Sequence, residues 1–212
     1  GFSVRPYYRA EDLNSITWNN VEPNQFPYVR GNKTKGNEWL ICQDINVTDC
    51  KAANEKALDA LKRGANAITF RLEYDKLYTD LEISALLNGI NAKEVELSFY
   101  NNKYHLPLLE QLSRIPELRG SLNYDPLTRY IRRGTWFISE STDMELAYIL
   151  TKADMPGFQT IGINAHVFTN AGATIAQEMA FALAVGAEYL DKLTDTDLSI
   201  DAILPKMRFN VA

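Results

Sequence analysis

The sequence predicts an α/β protein on a parallel sheet, a (β/α)8 TIM barrel that is incomplete, with about six strands present. Three observations predict it. Short apolar runs alternate with helical stretches at a spacing of mostly ~25–45 residues, the mark of βαβ units. The first strand is followed by "CQDINVTD" and not by a GxGxxG turn, which weighs against a doubly wound dinucleotide fold. The 212 residues, 46% of them hydrophobic, suit one domain with a sizeable core.

Residues 1–37 are rich in Pro, Asn, Tyr and Gly and hold no sustained period, so they read as an extended N-terminal arm. The partial barrel occupies 38–212, beginning with a strand at 38–45. A helix follows, capped by Thr48 or Asp49, with Ala53, Ala57, Leu58 and Leu61 at helical spacing and Gly64 at its C-terminal end. A strand at 66–72, a helix at 78–90 and a third strand at 94–100 come next. The helix at 105–115 has Pro107 in its first turn, where proline is tolerated. A fourth strand at 118–124, a helix at 141–153 and a fifth strand at 158–165 follow. At 171–186 Ile175, Met179 and Leu183 form one helical stripe, which Gly186 closes. The stretch "IDAILPK" reads as a last helix, and 206–212 as a sixth strand. The chain opens on Gly1 and stops two strands short of the eight a barrel needs, so it reads as a fragment. Unpaired strand edges at such an opening predict self-association.

Composition excludes several roles. A net charge of −5 without a long Lys/Arg run argues against nucleic acid. There is no apolar run of about 18 residues for a membrane span, and no signal-peptide order at the start. Cys42 and Cys50 have no metal-ligand spacing and read as reduced thiols of a cytoplasmic protein. No GxSxG elbow and no P-loop occur, and two histidines without HxxxH or HxH spacing give no metal site.

Few residues remain for chemistry. His105 begins a helix and reads as a surface or capping residue, whereas His166 ends a strand and is either a satisfied polar residue at the barrel mouth or a ligand contact. Asn123, Tyr124 and Asp125 end the fourth strand, and Arg129, Arg132 and Arg133 follow. Together these six residues line a pocket for an anionic group, or else the arginines form a solvated basic helix face. Lys51, Lys56, Lys62 and Arg63 read as surface charge.

"NAGATIAQEMAFALAVGAEYL" resembles a segment of the methylmalonyl-CoA mutases, adenosylcobalamin-dependent isomerases with a TIM barrel joined to a cobalamin-binding domain. "FPYVRG" (26–31), "WLICQD" (39–44), "GSLNYDPL" (120–127) and "RFN" (208–210) resemble the family's segments in the same order. The likeness is strongest to the small, β-type, non-catalytic subunit of the bacterial heterodimers. It implies a large catalytic mutase subunit as partner and adenosylcobalamin as cofactor of the complex, which interconverts methylmalonyl-CoA and succinyl-CoA. For this stretch it implies no bound cofactor: the cobalamin-binding domain is absent, and neither "YHLPLL" nor "AHVFTN" fits a DxHxxG motif.

The departures decide the expected role. Where catalytic chains carry Tyr-His before "AGA", this sequence has His166 and Val167. Valine neither donates a hydrogen bond nor stabilises developing charge. The family's Tyr after a first-strand Gln is here Asp44 after Gln43, expected as a buried anion that repels an acyl-CoA carboxylate. The fourth-strand Gln matches Asn123, and the Arg that pairs with the substrate carboxylate matches Arg133. The loop "NKTKGNE" is shorter than the substrate-gripping loop of catalytic chains. The resemblance thus implies degenerate catalytic equivalents at Asp44, Asn123, His166 and Val167, a substrate-binding equivalent at Arg133, and a structural partner in place of a catalyst. Two alternatives stay open, an acyl-CoA mutase of related specificity that uses His166, and a CoA-thioester binding module.

Overall fold

Six strands pair in strict chain order, all parallel: β1 (Cys42–Asn46), β2 (Ala67–Arg71), β3 (Glu96–Tyr100), β4 (Arg119–Tyr124), β5 (Phe158–Asn164) and β6 (Met207–Asn210). A doubly wound sheet reverses its order at a switch point, and this one does not. Parallel connections that always step the same way, right-handed as such crossovers are, carry the crossover helices to one face of the sheet. The computed structural model describes residues 3–17, 20–36, 38–100 and 102–212.

The helices start where side chains satisfy their free N–H groups. α1 (Cys50–Lys62) is capped by Asp49, which accepts from the Ala52 N–H at 2.8 Å. α2 (Asp80–Leu87) and α7 (Ile175–Thr194) begin with capping boxes, Thr79 with Glu82 and Thr174 with Gln177. α4 (Pro126–Arg133) is capped by Asp125 and has proline in its first turn. α3 (His105–Leu112) lacks a side-chain cap, α5 (Glu140–Thr151) is capped by Ser139, and α6 (His166–Asn170) and α8 (Ile200–Ile203) are short.

The strands alternate. Ile68 and Phe70, Leu97 and Phe99, and Ile161 and Ile163 are buried under the helices with Leu86, Leu112, Leu150 and Tyr189. The opposite face is polar: Arg208 of β6 reaches Glu96 of β3 at 2.6 Å, and Ser98 and Ser121 bond to each other beneath it at 3.0 Å. Higher up, the Tyr100 hydroxyl of β3 donates to Asn210 Oδ1 of β6 at 2.9 Å. β3 and β6 are three strand spacings apart, ~14 Å in a flat sheet. Tyr and Asn side chains are too short for that span, so the sheet curls with its polar face inside, as a barrel wall does. Most barrels fill that interior with bulky branched residues.

Several expectations shift. The first strand starts at Cys42, not at 38. The helix expected to stop at Gly186 runs on to Thr194. Gly186 is a packing residue: a Cβ there would stand 3.0 Å from the Phe209 ring and 3.5 Å from Ile163. The stripe of Ile175, Met179 and Leu183 is exposed, while Ala182, Val185 and Tyr189 face the core. Gly64, at φ +105° just past α1, ends that helix as expected.

The chain divides into two compact units, residues 1–39 and 40–212. Among its described residues the first has no strand. It holds a 3-10 turn at Ala10–Leu13, anchored by Asp12 to Arg5 at 2.6 Å and to the Arg9 N–H at 2.8 Å.

Candidate functional site

The C-terminal ends of the strands open into a cleft of about 980 Å3. Asp44, Asn123, Arg133, His166 and Val167, five positions scattered over 124 residues of sequence, all line it.

Each is held by its own local cause. Asn123 sits on an irregularity of β4, where the register with β5 shifts between Ser121 and Tyr124. Its φ is +56°, the left-handed region that asparagine tolerates better than longer side chains do. The side chain is thereby aimed across β5, where a Cβ on Gly162 would lie 2.0 Å from Asn123 Oδ1. Asn123 Nδ2 donates to Asn164 Oδ1 at 3.2 Å, and Asn210 Nδ2 donates to Asn123 Oδ1 at 2.9 Å and Asn164 Oδ1 at 3.1 Å. With Tyr100 this closes an amide network across the mouth. The resemblance pointed to Asn123 alone. A signal for the rest was present: β1, β5 and β6 end in "IN", "IN" and "FN", and β4 carries "LN" one residue before its end, an apolar residue and then asparagine.

Asp44 is not the buried anion expected. Its side chain is 50% exposed, and Arg71 Nε donates to it at 2.8 Å. The next strand neutralises the charge. His166 opens α6, and its side chain makes no hydrogen bond among the described residues; Val167 follows it. α6 is fixed to α7 by Phe168 against Phe181, with centroids 5.0 Å apart.

Behind this rim lies a buried carboxylate. Asp125 accepts from Thr128 N–H at 3.0 Å, from Asn164 N–H and Nδ2 at 2.8 Å each, and from the Tyr189 hydroxyl at 2.8 Å. It joins the ends of β4 and β5 to α4 and α7. Burial pushes its pKa above the ordinary carboxylate value, against these bonds.

His105 is neither a surface residue nor a side-chain cap. It is 5% exposed and packs edge-on against Tyr124 and Phe137, with centroids 4.5 and 5.5 Å away. Burial lowers its pKa from 6.5 to about 4. A lowered folded value means stability present above the unfolded pKa and lost as pH falls toward the folded one. Between pH 6.5 and 5 the loss is about 2 kcal/mol. Urea titration across this window is expected to show that loss in the wild type and not in His105→Phe.

A family model described as methylmalonyl-CoA mutase matches residues 1–80 and 77–212. The chain belongs to the methylmalonyl-CoA mutase family. It is 36% identical over 222 residues to a protein of Porphyromonas gingivalis called methylmalonyl-CoA mutase small subunit, covering 99% of this chain and 35% of that protein. A small subunit from Streptomyces virginiae is 29% identical over 224 residues, covering 100% of this chain and 35% of its own length. The large subunit from Porphyromonas gingivalis is 29% identical over 241 residues, covering 97% and 34%. The chain therefore spans about a third of the length of these relatives.

Family membership implies adenosylcobalamin in the whole enzyme, but the residues here do not fit its capture through a histidine lower ligand. His105 is enclosed by aromatic rings. Among the described residues the His166 ring has no carboxylate partner to orient it, the usual arrangement behind a metal-bound imidazole. Among the described residues no three His, Cys, Asp or Glu side chains gather as a metal site, and no helix is long and apolar enough to cross a membrane. Both cysteines are free thiols, Cys42 exposed and Cys50 buried.

Proposed function

We propose that this chain is part of the non-catalytic small subunit of an adenosylcobalamin-dependent methylmalonyl-CoA mutase. In this reading it is a cytoplasmic structural partner of a large catalytic subunit, and the heterodimer interconverts methylmalonyl-CoA and succinyl-CoA. One observation carries the reading. In a single cleft, the positions where catalytic chains hold reactive side chains are given over to structure. Asp44 is tied to Arg71, Asn123 is locked among amides, and Val167 has no polar atom to offer. Transition-state stabilisation needs donors aimed at developing charge, and these side chains are spent or apolar. The shorter stretches matched in the two small subunits, against that in the large one, support it. Arg133 stands at the place of the carboxylate-binding arginine and lines the cleft, but it works there without the rest of the set.

The test is turnover of methylmalonyl-CoA with added adenosylcobalamin by the full-length protein, alone and with a large mutase subunit. Activity is expected only from the pair, and His166→Ala in this chain is expected to leave it unchanged. Turnover by this chain alone, abolished by His166→Ala, would mean that the site has moved to His166 and is alive.

A further inference from the structure

Helix α4 separates two environments. Arg129, held by the rings of Phe137 and Tyr74, lines the polar cleft together with Arg132 and Arg133. The other side of the helix carries Leu127, Tyr130 and Ile131, spaced i, i+3 and i+4, and these line an apolar groove of about 530 Å3. The facing wall is α7, which contributes Phe181, Ala184, Val185 and Glu188, again at helical spacing. Two such stripes across a groove leave the space that the side chains of a third helix fill.

The groove is built like a protein interface, with aromatic anchors in the middle and charge at the rim. Tyr130 stacks on Trp136 on one wall, with centroids 4.7 Å apart, and Phe168 packs on Phe181 on the other. Both pairs are ordered, yet Tyr130, Ile131 and Phe181 stay 45, 53 and 45% exposed, an apolar cluster left against water. Ala184, exposed between the walls, leaves the centre open. At one end Lys192 bonds Glu140 at 2.8 Å and faces Glu188 at 3.3 Å, so two carboxylates share one ammonium and the rim keeps an excess of negative charge. The barrel's own repeat does not reach this place. Each unit steps the same way along the sheet, so any further barrel helix belongs beyond β6, whereas the groove lies among the helices that follow β4 and β5.

We propose that this groove is the seat of a helix from the large mutase subunit, one with an apolar stripe for the aromatic walls and a Lys or Arg on the flank that meets Glu140 and Glu188. The proposal rests on the structural-partner reading and deepens it, since it says where the partner is gripped. Aromatic anchors that are stacked before contact lose little freedom on binding, which lowers the cost of association. The acidic rim selects for a basic flank and speeds encounter, while the apolar middle holds the complex.

The experiment uses the full-length protein and the large subunit. Ala184→Cys, combined with Cys42→Ser to remove the exposed native thiol, is labelled with a maleimide, and mass spectrometry reads the rate at position 184 with and without the large subunit. Labelling is expected to be fast in the lone protein and slowed about 10-fold or more in the complex. Ala184→Arg is expected to weaken the complex by about 30-fold or more while leaving the Tm of the lone protein unchanged, because Ala184 is exposed. Glu188→Lys is expected to weaken it too, most at low salt. Leu81→Arg, an exposed position on α2, is the control and is expected to change nothing. If the wild-type proteins form no complex, the structural-partner reading falls and the proposal with it. If they form one in which position 184 is labelled at the free rate and Ala184→Arg binds as tightly, the groove assignment alone is overturned. Slow labelling already in the lone protein also overturns it, since the protein's own chain then fills the groove.

Discussion

Asp125→Ala is expected to destabilise the chain by about 4 kcal/mol, because it leaves four donors without an acceptor in the interior. The Thr128 N–H loses its helix cap, Asn164 loses the acceptor of both its backbone N–H and its Nδ2, and the Tyr189 hydroxyl keeps, among the described residues, only the Leu127 N–H that donates to it at 3.2 Å. Tyr189 is fully buried, so water cannot take over there. Chemical denaturation of wild type and variant gives the difference directly, and a loss under about 1 kcal/mol would show that the hub is not what joins β4, β5, α4 and α7. The damage should also reach the cleft, since Asn164 is the acceptor for both Asn123 and Asn210.

The same carboxylate sets a pH dependence with a definite sign. Burial raises its pKa in the folded chain above the ordinary value of 3.8. The folded state then holds the proton more tightly than the unfolded one. Its contribution is fully present below the ordinary value and is lost as pH rises through the raised one. Asp125→Asn removes this slope. This trend runs opposite to that of His105, whose lowered pKa costs stability as pH falls. The two variants therefore separate two pH dependences of opposite sign in one stability profile.

The fold was legible because strands and helices announce themselves by different periods. "VELSFY" alternates, and the structure puts Leu97 and Phe99 under the helices and Glu96, Ser98 and Tyr100 inside. Gly186 misled because a glycine can end a helix or let a neighbour approach, and one residue does not distinguish them. Tyr189 and Leu193, continuing the period beyond it, would have. Part of the site was legible from the residues alone, since Asn123, Asp125, Arg129, Arg132, Arg133 and His166 all line the cleft; Asp44 and Val167 were picked out only by the resemblance to a family. The amide network, the Arg71 bond to Asp44 and the aromatic clamp on Arg129 join residues far apart in the chain, and no local pattern states which strand ends will meet. His105 was misjudged for the same reason. Its burial comes from Tyr124 and Phe137, 19 and 32 residues away.

Gly120→Ala is the second large effect, expected on the order of 4 kcal/mol or more and seen as a steep fall in Tm or as insoluble protein. Gly120 pairs with Leu97 across β3 and β4, with φ at +133°. A Cβ there would stand 1.9 Å from the Leu97 carbonyl oxygen and 2.5 Å from its carbon. Both are backbone atoms of a central strand, so no side chain can swing aside to make room. Either the residue leaves its backbone conformation or β4 leaves β3. The second takes Ser121 away from Ser98 and moves Asn123 and Asp125, which follow on the same strand. Gly64 is the control. Its φ is +105°, yet a Cβ there meets nothing within 4 Å, so Gly64→Ala isolates the cost of backbone conformation, about 1 kcal/mol. If the two variants lose the same stability, close approach of the strands is not what requires glycine in "LRGSLNY". If Gly120→Ala loses far more, the mouth of the barrel depends on a strand contact that only a residue without a side chain permits.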